Sequence, residues 1–167
     1  MAEQRGTGTE ERTLVIERVF DAPRDLVWKV WTEPEHIMRW WGPEHYTCPV
    51  AKVDLRVGGK YLYCMRDEQG KDNWSAGAYL EIVPPERMVV SDYFSDEHGN
   101  KVPASQFGLP GDWPDEMIVT VTFDELPGGK TKLTVRQAGM PIEMQEMAGA
   151  GWGTSLEKMA EYLAKMR

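Results

Sequence analysis

The C-terminal stretch limits the fold most strongly. From Glu143 onward, Met144, Met147, Ala148, Gly151, Trp152, Ser155, Leu156, Met159, Tyr162, Leu163 and Met166 recur at the spacing of one helical face. Glu157, Lys158, Glu161 and Lys165 take the other face. A helix over residues 143–166 would be about 36 Å long at 1.5 Å per residue, enough to lie across a whole sheet. An apolar stripe of that length needs a partner surface equally long, and the rest of the chain must supply it.

Residues 12–20 are rich in β-branched and aromatic side chains and read as a first strand. Asp21-Ala-Pro23 stops it, with Asp21 expected to cap a helix whose first turn holds Pro23 and whose packed face is Leu26, Val27, Val30 and Trp31. A second helical piece is expected from Pro34 to about Trp40, ended by Gly42-Pro43. From Cys48 the period changes to two: Val53, Leu55 and Val57 alternate with Asp54 and Arg56, and Tyr61, Tyr63 and Met65 follow Gly58-Gly59, which predicts a hairpin. Parity puts Tyr61, Tyr63 and Met65 on one face and Leu62 and Cys64 on the other, and leaves open which is concave. Further strands are expected over residues 73–83, 87–94, 116–124 and 131–138. In the third of these, Met117, Val119, Val121 and Phe123 alternate with Ile118, Thr120 and Thr122, so one face is strongly buried. The order describes an α+β fold: a curved antiparallel sheet of six to seven strands wrapped around one long C-terminal helix, with two short helices after the first strand.

A chain of 167 residues can bury a full core without staples. Residues 12–167 are expected to form a single domain and residues 1–11, which lack an apolar run, a solvated tail that is neither signal peptide nor membrane anchor. The two cysteines, Cys48 and Cys64, fall on neighbouring strands, but symmetric pairing about Gly58-Gly59 sets Cys64 opposite about Val53. No disulfide is therefore expected, and a cytoplasmic location fits. A net charge of −8 with dispersed basic residues argues against a nucleic-acid partner.

An ordered set of short motifs narrows the fold further. Phe20-Asp-Ala-Pro23, Trp31 with Pro34-Glu-His36, Trp40-Trp-Gly-Pro43, Asp54-Leu-Arg-Val-Gly-Gly59, Glu81-Ile-Val-Pro-Pro-Glu-Arg87, Thr120-Val-Thr-Phe123 and Gly151-Trp152 with Leu156 span residues 12–166. With them the chain resembles the standalone bacterial homologues of the Hsp90 ATPase activator, within the START-type helix-grip superfamily. The resemblance implies a deep apolar cavity between sheet and final helix, with roles in that superfamily ranging from lipid or polyketide binding to cyclase chemistry. A stress-response role and a chaperone contact are further implications, although the co-chaperone itself relies on an additional N-terminal domain that residues before 12 do not offer.

Residue types suggest how such a cavity would be lined. The aromatic side chains Trp31, Trp40, Trp41, Tyr61, Tyr63, Trp74, Phe94, Phe107 and Trp152 offer broad apolar faces with few polar points, and Met88, Met117, Met140, Met144 and Leu156 adaptable apolar volume. Each group serves equally well as plain core. Arg39 and His45 flank the tryptophan pair, and Arg56 precedes the glycine hairpin; these are the candidate polar anchors, although Arg56 pairing with Asp54 would make it structural. His36, His45 and His98 share no metal-ligand spacing, so no metal or other cofactor is expected. Nucleophile-elbow and phosphate-loop motifs are absent from the sequence, so any catalysis would rest on a carboxylate, Tyr or His made unusual by burial. Gly149, Gly151 and Gly153 weaken the last helix, which either packs closely there or bends. The insertion from Ser95 to Asp115 carries Phe107, Leu109 and Trp113 among prolines, and is read as a cavity lid, an edge-packed loop or part of a dimer contact. The functional expectation is binding of a hydrophobic or aromatic small molecule, with a cyclase- or hydrolase-type enzyme in the same cavity and a chaperone-interaction protein as alternatives. No membrane partner is expected; homodimerisation through the long loop or a sheet edge stays open, although no feature demands it.

Overall fold

The computed structural model describes residues 12–166, so the reading of residues 1–11 as a tail lies outside them. One antiparallel sheet of seven strands has the order β1-β7-β6-β5-β4-β3-β2. The strands are β1 Thr13–Phe20, β2 Thr47–Val53, β3 Lys60–Arg66, β4 Asp72–Val83, β5 Arg87–Ser95, β6 Met117–Leu126 and β7 Lys130–Ala138. From β2 onward each strand pairs with its successor, whereas β1 lies at the far edge beside β7. Helices α1 (Arg24–Thr32) and α2 (Pro34–Trp40) therefore carry the chain from one edge of the sheet to the other. Helix α3 (Gln145–Lys165) follows a 3-10 turn at Ile142–Met144.

Alternation built the sheet as its pattern demands. Met117, Val119, Val121 and Phe123 are buried while Ile118 is 40% exposed, and register carries the buried face to Leu133, Val135 and Gln137 on β7 and to Met88, Val90 and Asp92 on β5. Leu156, Met159 and Leu163 of α3 close the core against it, with Val27, Val30 and Trp31 of α1 and Ile37 and Trp40 of α2.

Four local expectations are corrected. Asp54–Gly59 is a loop and not strand: Asp54 N–H bonds Lys60 O, Gly59 N–H bonds Arg56 O, and Leu55 and Val57 are 41% and 63% exposed. The alternation there continues past the strand's end, and Gly59 is needed because a Cβ would meet Asp54 O at 2.0 Å. The longer reversal moves the register, so Cys64 stands opposite Val50, and both cysteines are free. Helix α1 starts at Arg24, with Pro23 at its N-cap position and the Leu26 and Val27 N–H groups on Pro23 O.

Helix α3 supplies the other two. Lys158 is not on a solvent face: its Nζ donates to Gly42 O at 2.9 Å, Tyr46 O at 3.0 Å and Pro43 O at 3.4 Å, pinning the loop after α2 to the helix. Met147, placed on the buried stripe by spacing, is 64% exposed. Close packing does not explain the helix glycines either. A Cβ at Gly149 or Gly151 would make ordinary contacts at 3.7 Å, and one at Gly153 would meet nothing within 4 Å. Among the described residues no helix is long and apolar enough to cross a membrane.

Candidate functional site

Between the concave sheet face and α3 lie two adjoining chambers that share Trp41, Asp92 and Trp152. The outer, about 280 Å³, is bounded by Trp40 to Pro43, by Met65, Phe94, Met117 and Met140 from the sheet side, and by Met147, Ala148, Gly151 and Ser155 of α3. It opens beside the exposed Met147, and Leu109 and Trp113 of the β5–β6 insertion form part of its wall. The inner chamber, about 40 Å³, is ringed by Trp31, Trp41, Tyr61, Tyr63, Tyr79 and Trp152 over Met88, Val90, Val119 and Val121.

The aromatic groups are ordered by mutual contact. Trp31 and Trp152 stack with centroids 5.9 Å apart and planes 8° off parallel, and Trp41 meets both edge-on at 5.8 and 5.7 Å. Tyr63 adjoins Trp41 at 4.7 Å. Each such pair adds about 0.5–1.5 kcal/mol beyond burial, which holds the wall in shape without a ligand.

One polar chain crosses this apolar space. Trp152 Nε1 donates to Gln137 Oε1 at 3.1 Å, Gln137 Nε2 to Asp92 Oδ2 at 3.4 Å, and Tyr61 Oη lies 3.1 Å from Asp92 Oδ1 and 2.8 Å from Ser91 O. Local sheet geometry makes this chain. The β4–β5 pairs Ala76–Tyr93 and Tyr79–Val90 flank a gap where Ala78 N–H turns to Ser91 Oγ, freeing Ser91 O for a hydroxyl that reaches over from β3. It crosses β4 at Gly77, where a Cβ would lie 1.8 Å from Ser91 O and 2.7 Å from Tyr61 Oη. Only glycine allows that approach.

Burial sets the acidity of the groups. It pushes the Asp92 carboxyl up to about 6, against the opposing pull of its bonds from Tyr61 and Gln137. Burial first, and then Asp92 or Tyr79, hold Tyr61 and Tyr63 well above the usual tyrosine range, and burial pushes Tyr79 up to about 12. All three are neutral phenols near pH 7.

Several residues singled out by type converge here. Trp31, Trp41, Tyr61, Tyr63, Met88 and Trp152 line the inner chamber, and Trp40, Phe94, Met117 and Met140 the outer, while Trp41 and Trp152 serve both. Trp74 does not join them: it pairs with Cys64, so it lies on the sheet face opposite to Tyr61 and Tyr63. Phe107 lies behind Phe94, 5.5 Å between centroids, and lines neither chamber. Met144 is buried with Leu14, Met117 and Met140, and Leu156 belongs to the core under α3.

None of the three charged anchors lines the cavity. Arg39 is exposed. His45 stands in solvent between Glu44 at 3.7 Å and Glu68 at 3.3 Å, and Arg56 grips Asp54 through Nε at 2.9 and 3.1 Å. His36 joins α2 to α3 through a 2.6 Å hydrogen bond to Tyr162, and its ring also lies 3.5 Å from Glu33. Of the polar groups that do face the cavity, Asp92 and Gln137 carry a readable signal: each interrupts an alternating apolar stripe, as in Met88-Val90-Asp92-Phe94 and Leu133-Val135-Gln137, whereas Ser75 and Ser155 carry none.

A family model described as Activator of Hsp90 ATPase homolog 1-like protein matches residues 21–164. Among solved structures, a Chromobacterium violaceum protein is 33% identical with a TM-score of 0.74, over 90% of this chain and 96% of that one. A Nitrosomonas europaea protein is 25% identical with a TM-score of 0.77, over 95% and 97%. A Silicibacter pomeroyi protein bearing the same family name is 21% identical with a TM-score of 0.75, over 93% and 99%, and shares the fold. The comparison with curated proteins finds no match.

Proposed function

The chain belongs to the Activator of Hsp90 ATPase homolog 1-like family, and from that premise we propose that it binds a hydrophobic small molecule in the cavity between sheet and α3. The observation that carries this reading is the outer chamber, about 280 Å³ and apolar on most sides, joined to an aromatic inner chamber. Ligand pockets run from about 300 Å³ upward and combine apolar walls with a few convergent polar groups, so the pair of chambers sits at the small end of that range. The apolar body of a ligand would displace water from methionine and tryptophan surfaces, at about 25 cal/mol per Å² buried. The Trp152–Gln137–Asp92–Tyr61 chain would fix its orientation.

Native mass spectrometry of protein from its own host, followed by organic extraction, tests the reading. A stoichiometric small molecule that disappears in Ala148→Phe, which fills the outer chamber, is the expected result. An empty protein that also fails to take up a neutral naphthylamine dye would overturn it.

A second reading, acid–base chemistry of the cyclase or hydrolase kind, is favoured by Asp92 alone. A buried carboxyl held at about 6 beside a phenol has the acidity that proton transfer near neutral pH calls for.

A further inference from the structure

Resting on the binding reading above, we propose that the preferred ligand is a hydrophobic amine, its apolar body in the outer chamber and its ammonium group in the inner one against Asp92.

The charge inventory points to a cation. Among the described residues neither Lys, Arg nor His lines either chamber, and Asp92, which lines both, is the one acid or base there apart from the tyrosines. Lys101 and Asp115 reach Asp92's surroundings only from the insertion side, and Lys101 is taken up by Glu116 at 2.5 Å. A carboxylate-headed lipid would therefore bring a second anion to an uncompensated first.

Proton accounting points the same way. Tyr61 has one hydroxyl hydrogen, and Ser91 O, which can only accept, lies closer to it than Asp92 does, at 2.8 Å against 3.1 Å. When Asp92 is protonated, it can donate to Tyr61 Oη, and donors run in one direction from Trp152 through Gln137, Asp92 and Tyr61 to Ser91 O. When Asp92 is ionised, that donation is lost: the Tyr61 hydrogen turns from Ser91 O to Asp92 Oδ1 at 3.1 Å, leaving Ser91 O without it, and Gln137 adds one longer bond at 3.4 Å. The ionised carboxylate then has free lone pairs on the cavity side, and an ammonium group supplies both the hydrogens and the opposite charge.

The aromatic ring completes the match. Trp31, Trp41 and Trp152 crowd the chamber within 6 Å of one another, and a cation is drawn to such ring faces by about 0.5–2 kcal/mol where water is excluded. The inner space of about 40 Å³ exceeds the roughly 10–15 Å³ that one water needs, so it admits an ammonium head and not a bulky one.

Calorimetric titration with octylamine, octanol and octanoate near neutral pH separates the possibilities. Octylamine is expected to bind at least about tenfold more tightly than octanol, with octanoate weakest; that gap corresponds to about 1.4 kcal/mol. Asp92→Asn should close the gap between amine and alcohol while keeping octanol bound. Octanoate binding as tightly as octylamine, or a gap that survives Asp92→Asn, would overturn the amine assignment and leave the cavity reading standing. Failure of all three to bind would overturn both. Should Asp92→Asn not fold, proton release on octylamine binding to the unaltered protein near pH 6, absent with octanol, decides the same point, and its absence counts against the proposal.

Discussion

The hydroxyl of Tyr61 and the carboxyl of Asp92, 3.1 Å apart, meet across an intervening strand and form the polar centre of an otherwise apolar cavity. Their contact ties folding stability to pH. The folded carboxyl titrates at about 6, above the 3.8 of an unperturbed aspartate, because burial disfavours its charge. The folded state thus holds the proton longer than the unfolded one, and the associated stability is complete below about pH 4 and lost as pH rises through 6. The surrounding ionisable groups are Tyr61 and Tyr63 of β3, Tyr79 of β4 and, from the insertion, Lys101 and Asp115; the three phenols stay neutral throughout that window. The loss should reach up to about 3 kcal/mol. Asp92→Asn should remove this slope, so that urea midpoints measured from about pH 4 to 8 converge at low pH and favour the variant at high pH. Parallel profiles for the two proteins would show that Asp92 does not carry the dependence.

Two glycines should respond in opposite directions. Gly77→Ala drives a Cβ into Ser91 O at 1.8 Å and should cost several kcal/mol, on the order of 3 or more, with loss of the Tyr61 bond. Gly153→Ala meets nothing within 4 Å on an exposed helical position and should stabilise by up to about 1 kcal/mol. Thermal unfolding of both variants checks the pair.

Lys158→Met removes a donor from three carbonyls at once. It should destabilise by about 1–3 kcal/mol, since Gly42 O and Tyr46 O lose their partner under a half-buried side chain. Amide hydrogen exchange should quicken across residues 42–46 far more than in β6 or β7, because the lysine holds that loop to α3. Uniform quickening would mean that its contribution is global.

Tryptophans of similar size should separate wall from core. Trp28→Ala empties a fully packed position against Phe123, 5.1 Å away, and should cost about 3–5 kcal/mol without altering the affinity of the folded fraction for an apolar probe. Trp41→Ala enlarges both chambers and should weaken probe binding about tenfold or more for a smaller stability loss. Fluorescence titration beside denaturant unfolding measures both quantities.

Periodicity conveyed the frame, and it failed where pairing rather than pattern decides. The stripe of Met117, Val119, Val121 and Phe123 and the long helix could be read directly, because burial on one face leaves its period in the residues. Leu55 and Val57 misled by keeping that period through a loop whose course is set by backbone bonds such as Gly59 to Arg56. Trp74 was indistinguishable by type from Trp41; only the Cys64–Trp74 register sends it to the outer face. Arg39 and His45 flank the tryptophans and Arg56 precedes the glycine hairpin, yet charges with free access to water stay there. Asp92 and Gln137 are legible only as interruptions of the stripes Met88-Val90-Asp92 and Leu133-Val135-Gln137, and only the pairing of neighbouring strands places both in one cavity.

Helix α3 carries three glycines in the stretch where Gly151 lines the outer chamber, and none of the three is tightly packed. If the cavity takes a guest as proposed, wall and doorway are one element, and its bending stiffness would set both how firmly the guest is held and how fast it enters. Substitutions that straighten the helix should then trade traffic for grip: the residence time of a bound apolar probe lengthens, while its entry and exit slow.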